Sequence, residues 1–304
     1  LSFSYVHGEK EAFEIAFSGS INEKAIKGTF SFFGAKAAVV GSPITDAKAQ
    51  SITSQSSLFD QYEARRFTSS KGETLPYRLF IPQDYDPKGK YPLVLIHHGG
   101  GGAGDDNRRQ LEGACVREWI LPKFQTEHPC FIVAPQIPGK SKKRPDEDAV
   151  MKTMGLRIQA IHEILDQLEA EFPIDRTREY ATGLSFGGEC TWLSLIERPE
   201  RFAAAVPICA GDRLMKLTTS ERGKRFAQFP LWIVHGDADK IIPVDVSREV
   251  VQALKDAGGH PRYTEYPGVG HNSWDRAYRD PELITWLFAQ SRETSVLPVE
   301  QVNL

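Results

Sequence analysis

A chain of 304 residues with 40% hydrophobic, 25% charged and 10% aromatic residues sits near the soluble globular average, which excludes a disordered or fibrous architecture and allows one enzyme-sized core. Its net charge of -3 gives no basic footprint for nucleic acid or for an anionic membrane surface. No run approaches the roughly eighteen apolar residues that span a bilayer.

The first stretch alternates Phe13, Ile15 and Phe17 with polar neighbours, and Gly28 to Phe33 reads as another short strand. A Ser/Thr/Gln-rich segment, Ser51 to Ser57, then has the composition of an exposed linker. These features predict a small β-rich appendage over residues 1–60, serving to pack, to cover an edge or to associate chains into a homo-oligomer, ahead of a catalytic domain over 61–304. The N-terminus lacks the basic-then-apolar layout of a secretion signal, and a start at Leu1 fits a processed or trimmed chain. A secreted or periplasmic location is favoured over a cytoplasmic one.

From residue 65 short strands alternate with helical stretches, the signature of an α/β domain with a mostly parallel sheet and helices on both faces. Phe67-Thr68 and Leu75 to Ile81 flank the turn residues Ser70 to Glu73, which predicts an antiparallel hairpin. Leu93 to Ile96, Phe131 to Ala134, Tyr180 to Thr182, Ala203 to Ile208 and Leu231 to Val234 are nearly continuous apolar runs, as strands covered on both faces should be. Arg262 to Tyr266 completes the set. Helical patterns fall at Met151 to Phe172, at Val246 to Ala257 and from Pro281, a good first-turn residue behind a capping Asp280.

Gly183-Leu184-Ser185-Phe186-Gly187 follows one of these strands and precedes the helix-like run Glu189 to Ile196. A serine presented on a strained strand-to-helix turn needs glycines on either side, because the two backbones crowd there. Its hydroxyl becomes nucleophilic when an imidazole takes the proton and a carboxylate orients the imidazole, in the chain order Ser, Asp or Glu, His. The loop His235-Gly236-Asp237-Ala238-Asp239 follows the strand at Leu231 to Val234 and offers two carboxylates, of which spacing favours Asp239 without deciding. His271, inside Gly268-Val269-Gly270-His271-Asn272, lies beyond the next strand and is the natural base. His260 reads as part of a helix end, and His235 as a packed residue.

A tetrahedral intermediate also needs backbone N–H donors at its oxyanion. Phe186, after the nucleophile, is one candidate. His97-His98-Gly99-Gly100-Gly101-Gly102 follows a buried strand as an oxyanion loop would, with Gly100 the first choice for the second donor and Gly101 the next.

Other patterns weaken on inspection. His162-Glu163-Ile164-Leu165-Asp166 starts like a zinc-protease helix but ends in Asp166, and the glycine run after Ile96 lacks the Lys-Ser/Thr ending of a phosphate loop. Cys115, Cys130, Cys190 and Cys209 show no metal spacing and read mainly as buried thiols, with one or two disulfides as the alternative. No cofactor or metal is implied. Lys140 to Arg144 followed by Asp146-Glu147-Asp148 is a charged loop, solvated or rimming the pocket.

With these pieces placed, residues 65 to 292 resemble the bacterial esterases also grouped as predicted peptidases, among them a thermophilic member with an N-terminal immunoglobulin-like domain. The resemblance runs through Leu75 to Pro82, His128 to Phe131 with Ala134-Pro135-Gln136, the Ser185 turn, Val206 to Cys209, Tyr263 to Tyr266 and Trp286 to Phe288. It implies an α/β-hydrolase fold and a Ser-Asp-His hydrolase. Its pattern places the acid four residues after the histidine of the His-Gly pair, at Asp239, and matches Ser185, His271, Gly100 and Phe186 to nucleophile, base and oxyanion donors. The chain departs from it at Gly99 to Gly102, at Phe186 where Met is common, and at Lys140 to Arg144 where a Trp is usual.

The expected function is therefore carboxylic-ester hydrolysis through an acyl-enzyme, on a small-molecule or polysaccharide-linked ester. Peptide-bond cleavage by the same residues is the alternative, and a non-catalytic binding protein the third reading.

Overall fold

The computed structural model describes residues 60–112, 114–138, 147–211 and 225–292, with side chains from 116 and from 151 in the second and third stretches, together with the backbone of four earlier strands. Contacts divide the chain into two units, Leu1–Ser57 and Leu58–Leu304. The first holds an antiparallel sheet in chain order: β1 (Ser2–Tyr5), β2 (Ile15–Ile21), β3 (Ile26–Phe32) and β4 (Ala35–Gly41). The alternation around Ile15 and Phe17 signals β2. β4, Ala35–Gly41, carries a weaker signal, since three alanines and a terminal glycine give it little alternation.

The second unit is built on eight strands: β5 (Tyr62–Thr68), β6 (Thr74–Phe80), β7 (Tyr91–His97), β8 (Phe131–Pro135), β9 (Ile174–Leu184), β10 (Ala204–Ile208), β11 (Trp232–Gly236) and β12 (Arg262–Tyr266). Their order across the sheet is β12-β11-β10-β9-β7-β8-β6-β5. The pairs β5–β6 and β6–β8 are antiparallel and all others parallel. The sheet is mostly parallel, as the strand and helix alternation predicts, and the fold is that of the α/β-hydrolases, as the family resemblance implies.

β7 shows why the central strands read as unbroken apolar runs. Leu93 and Leu95 point into one buried cluster with Ile158, Ile161 and Leu165, while Val94 and Ile96 point into a second with Trp119, Leu283 and Leu287. Both faces of the strand are covered, so both side-chain parities must be apolar. The helices that cover them are α1 (Ala114–Arg117), α2 (Pro122–Glu127), α3 (Glu147–Glu171), α4 (Phe186–Glu197), α5 (Asp245–Asp256), α6 (Trp274–Ala277) and α7 (Pro281–Phe288). Asp280 caps α7 by accepting the Glu282 N–H.

Two elements differ from expectation. The helix expected at Met151 begins at Glu147, inside the charged run, because acidic residues suit a helix N-terminus. β9 extends back to Ile174 through polar residues, and its register against β7 shifts between Tyr91 and Leu93. Cys130, Cys190 and Cys209 are buried free thiols, while Cys115's side chain and the run Lys140 to Arg144 lie outside the described residues. No helix among the described residues is long and apolar enough to cross a membrane.

The end of β7 is fastened to α4 and α3 by two neutral histidines. His97 Nε2 donates to Ser194 Oγ (3.0 Å), whose own hydroxyl is committed to the Cys190 carbonyl (2.9 Å), and His162 Nε2 donates to the Ser194 carbonyl (3.1 Å). Burial pushes the His97 imidazole down to about 3. The unfolded chain therefore takes up this proton below about 6.5 while the folded chain does not, so stability falls as pH drops from about 6.5 toward 3. Unfolding free energy measured by denaturant titration should decrease across that window, and His97→Gln, which removes the titrating group, should flatten the decrease.

Candidate active site

The strands deliver their residues to one edge of the sheet, at their carboxyl ends, where sites in open α/β sheets form. Ser185 sits between β9 and α4 with φ 55° and ψ -119°, a backbone conformation that L residues seldom adopt. The turn is held by the Ser185 N–H to the Ile208 carbonyl (2.9 Å), extending the β9–β10 pairing by one residue. The glycines of the motif answer to sterics. A Cβ on Gly187 would drive into the His97 carbonyl, and one on Gly183 into the Gly187 carbonyl. Gly188 faces Ala210 Cβ and the Ile208 carbonyl, each 2.8 Å from where its Cβ would lie.

From Ser185 an unbroken chain of hydrogen bonds runs inward. The Ser185 hydroxyl donates to His271 Nε2 (2.9 Å), and His271 Nδ1 donates to Asp239 Oδ2 (2.7 Å). The Asp239 side chain is fully buried. Its Oδ1 accepts the N–H groups of Ile241 (2.8 Å) and Ile242 (3.0 Å). Burial alone would raise this carboxyl, but the bonds from His271 and the two amides outweigh it and hold Asp239 below the ordinary carboxylate range. Asp237 is exposed; it accepts the Gly268 N–H (2.6 Å) and ties together the two loops that carry Asp239 and His271.

His235, expected to be a packed residue, is fully buried but not inert. Its Nε2 faces two acceptors, Asp239 Oδ2 (3.2 Å) and the Ile242 carbonyl (3.0 Å), so it carries the proton, and Nδ1 accepts from the Ser247 hydroxyl (2.7 Å). Burial lowers its pKa and favours that neutral form. His260 is exposed at the end of α5, beside Gly258 with φ 82°.

Gly100 to Gly102 form a single 3-10 turn after Gly99, whose φ of -69° and ψ of 174° are extended. Gly100 is thus the first residue of a helical turn and Phe186 the first of α4, positions whose amides have no partner inside their own helix. The histidine before the glycine run brings order to it: His98 Nδ1 donates to the Gly99 carbonyl (2.7 Å) and Nε2 accepts the Ile137 N–H (3.0 Å). The Phe186 ring lies beside His98, with centroids 6.0 Å apart, and Trp274 meets the His271 ring edge-on at 5.5 Å.

Cys209, with φ 38°, is a neighbour that sequence reasoning missed. One donor atom each from Cys209, Asp239 and His271 falls within 4.8 Å of the others. His271 and Asp239 spend those atoms on each other, and burial pushes the Cys209 thiol up to about 12, in the protonated form that ligates metal poorly. The zinc-like run at His162 is dismantled: Glu163 accepts from the Ser70 N–H and hydroxyl, and Asp166 pairs with Arg198 and Arg201.

Residues 138–282 match the family described as Phospholipase/Carboxylesterase. A protein named probable feruloyl esterase C from Aspergillus niger is 25% identical over 66% of this chain and 68% of its own length. A carboxylesterase from Arabidopsis thaliana is 25% identical over 53% of this chain, and the chain spans 63% of that protein. The crystal structure of a thermostable esterase superposes with a TM-score of 0.66 at 30% identity, covering 91% of this chain and 76% of that one.

The backbone approach at the Ser185 turn yields a direct test. Gly187→Ala should be destabilised by about 3 kcal/mol or more, since neither the His97 carbonyl nor the turn can retreat cheaply; the check is the denaturant midpoint, or recovery of soluble protein if folding fails outright. With a serine on its strained strand-to-helix turn, hydrogen-bonded to a histidine on a later loop, a segment that matches the Phospholipase/Carboxylesterase family and a thermostable esterase at 30% identity, the chain is a serine ester hydrolase of the α/β-hydrolase fold.

Proposed function

We propose that Ser185, His271 and Asp239 carry out this hydrolysis, and that the amides of Gly100 and Phe186 receive the oxyanion. The observation that carries the reading is the continuous hydrogen-bond chain from the Ser185 hydroxyl through His271 to the buried Asp239 carboxylate. His271 Nε2 takes the hydroxyl proton as Ser185 Oγ attacks the ester carbonyl, and negative charge collects on the carbonyl oxygen. Asp239 keeps Nδ1 protonated and stabilises the imidazolium. The proton then passes to the departing alcohol, leaving an acyl-enzyme, and water activated by His271 releases the acid.

Among ester classes, short-chain and carbohydrate-linked esters fit best, with the feruloyl esterase relative favouring aromatic acyl groups on plant polysaccharide. Amide cleavage by the same residues is the weaker reading, because protonating a poor leaving group and holding a peptide make further demands. A panel of p-nitrophenyl esters, feruloyl and acetyl polysaccharide esters and a peptide library ranks these substrates; peptide turnover exceeding ester turnover would reverse the assignment.

Four variants test the residue roles. Ser185→Ala should lose at least about 10³-fold in kcat on any ester the enzyme cleaves. Asp239→Asn should fall by roughly 10⁴-fold through the wrong imidazole tautomer, whereas Asp237→Asn should stay within severalfold of the parent; equal losses in the two would reject the choice of acid. Gly100→Pro deletes one amide proton at a position where the preceding residue is already extended and a Cβ meets open space. It should cut kcat by about 100-fold with little change in KM.

A further inference from the structure

The loop after β7 is held by one side chain that the hydrolytic scheme leaves unused. Gln136, immediately after β8, is fully buried, and its own N–H is tied to the Pro76 carbonyl on β6 (2.8 Å). Its amide group spends every direction on the loop opposite. Nε2 donates to the Gly102 carbonyl (3.1 Å) and to Asp106 Oδ1 (2.9 Å), while Oε1 accepts the Asn107 N–H (2.6 Å). These partners bracket the stretch 102–107, directly after the 3-10 turn that begins at Gly100.

The far end of that stretch is equally specified. Asn107 adopts φ 54°, its Nδ2 donates to the Arg65 carbonyl (3.0 Å), and its Oδ1 accepts from Gln110 Nε2 (2.6 Å). The next residue along the chain from Gln136, Ile137, donates its N–H to His98 Nε2 and accepts the Gly104 N–H (3.1 Å). The glycine run thus has no side chains of its own to fix it, and the carboxyl end of β8 supplies the fixing groups in their place. A loop of four glycines would otherwise sample many conformations, and an oxyanion donor is useful only when it is already aimed.

We propose that Gln136 is a positioning residue for ester hydrolysis: it locks the loop so that the Gly100 amide points at the developing oxyanion. The proposal rests on Gly100 being an oxyanion donor, as assigned above. Gln136 itself touches neither substrate nor the reacting atoms. Its effect is therefore expected in kcat, through the aim of an amide a short way along the loop from its contacts at Gly102, Asp106 and Asn107.

The test is a double-variant cycle on the whole chain with active sites titrated by a fluorophosphonate, so that misfolded protein does not count. Gln136→Met keeps the volume and removes all three loop bonds. Its titrated kcat on a p-nitrophenyl ester should fall by about 10- to 100-fold with KM changed less than about threefold. The double variant Gln136→Met/Gly100→Pro should be no slower than Gly100→Pro alone, because an absent amide has no aim to lose. Gln136→Glu, which keeps one acceptor but sets a carboxylate against the Gly102 carbonyl and Asp106, should be as impaired as Gln136→Met at neutral pH. It should recover relative to the parent on acidification, when its protonated carboxyl regains a donor.

A titrated Gln136→Met enzyme within twofold of the parent, while Gly100→Pro is impaired, overturns the proposal and leaves the oxyanion assignment standing. Multiplicative losses in the double variant also overturn it, since Gln136 would then act on something other than Gly100. Full activity in Gly100→Pro instead removes the donor assignment itself, whatever Gln136 does.

Discussion

The site depends on how closely the turn at Ser185 approaches the end of β7. Gly187 packs its backbone onto the His97 carbonyl with no room for a methyl group, and Gly183 packs onto Gly187 in turn. This contact brings the start of α4 against the strand that continues into the glycine loop. It forces Ser185 to φ 55°, lifts the hydroxyl out of the sheet, and brings the first amide of α4 and the first amide of the 3-10 turn to the same edge. Strain of this kind costs on the order of 1–3 kcal/mol and survives where surrounding structure overdetermines it. Here the overdetermining groups are the Ser185 N–H bond to Ile208 and the buried clamp of His97 and His162 on Ser194.

A second constraint is electrostatic. Asp239 is buried and charged, which is unfavourable unless its lone pairs are answered. Two backbone amides, His271 and His235 answer them. A carboxylate so supplied has no use for a proton of its own, and it leaves His271 Nδ1 with a fixed partner and Nε2 free to face Ser185. Asp237, two residues earlier and solvent-exposed, spends its charge on a loop amide instead.

Much of this is legible in the sequence because local chemistry specifies it. The apolar runs of β7 to β11 follow from burial on both faces, the glycines around Ser185 follow from backbone crowding, and the order of Ser185, Asp239 and His271 follows from loops at successive strand ends. Asp237 and Asp239 could not be separated by spacing, because the distinction is one of burial and partner number, and those depend on where β11 and β12 place the loops. Gln136, His98 and Cys209 were not recognised for a similar reason. Gln136 and His98 follow β8 and β7, which lie out of chain order in the sheet beside β6 and β9, and Cys209 meets Asp239 and His271, which lie far along the chain. A polar residue directly after a buried strand, as at Gln136, was the signal available.

Four histidines crowd this edge of the sheet, and hydrogen-bond accounting separates three of them from the one proposed to move a proton. His98 spends Nδ1 on the Gly99 carbonyl and Nε2 on the Ile137 amide. His235 spends Nδ1 on Ser247 and Nε2 on Asp239 and Ile242. His97 gives Nε2 to Ser194, and its other nitrogen is buried without a partner. Burial lowers the pKa of all three, so each is locked as a neutral structural donor. His271 differs in exposure: its side chain is 22% exposed and its outward nitrogen faces the half-buried Ser185 hydroxyl, whereas the hydroxyls that meet His97 and His235 belong to the buried Ser194 and Ser247. A proton arriving on His271 is stabilised by Asp239, whereas a proton arriving on His98 would break the amide contact that holds the loop. The same residue type thus serves as a brace at three positions and, in the proposed reaction, as the shuttle at His271, and the difference lies in whether the group it faces is sealed in the core or open at the edge of the sheet.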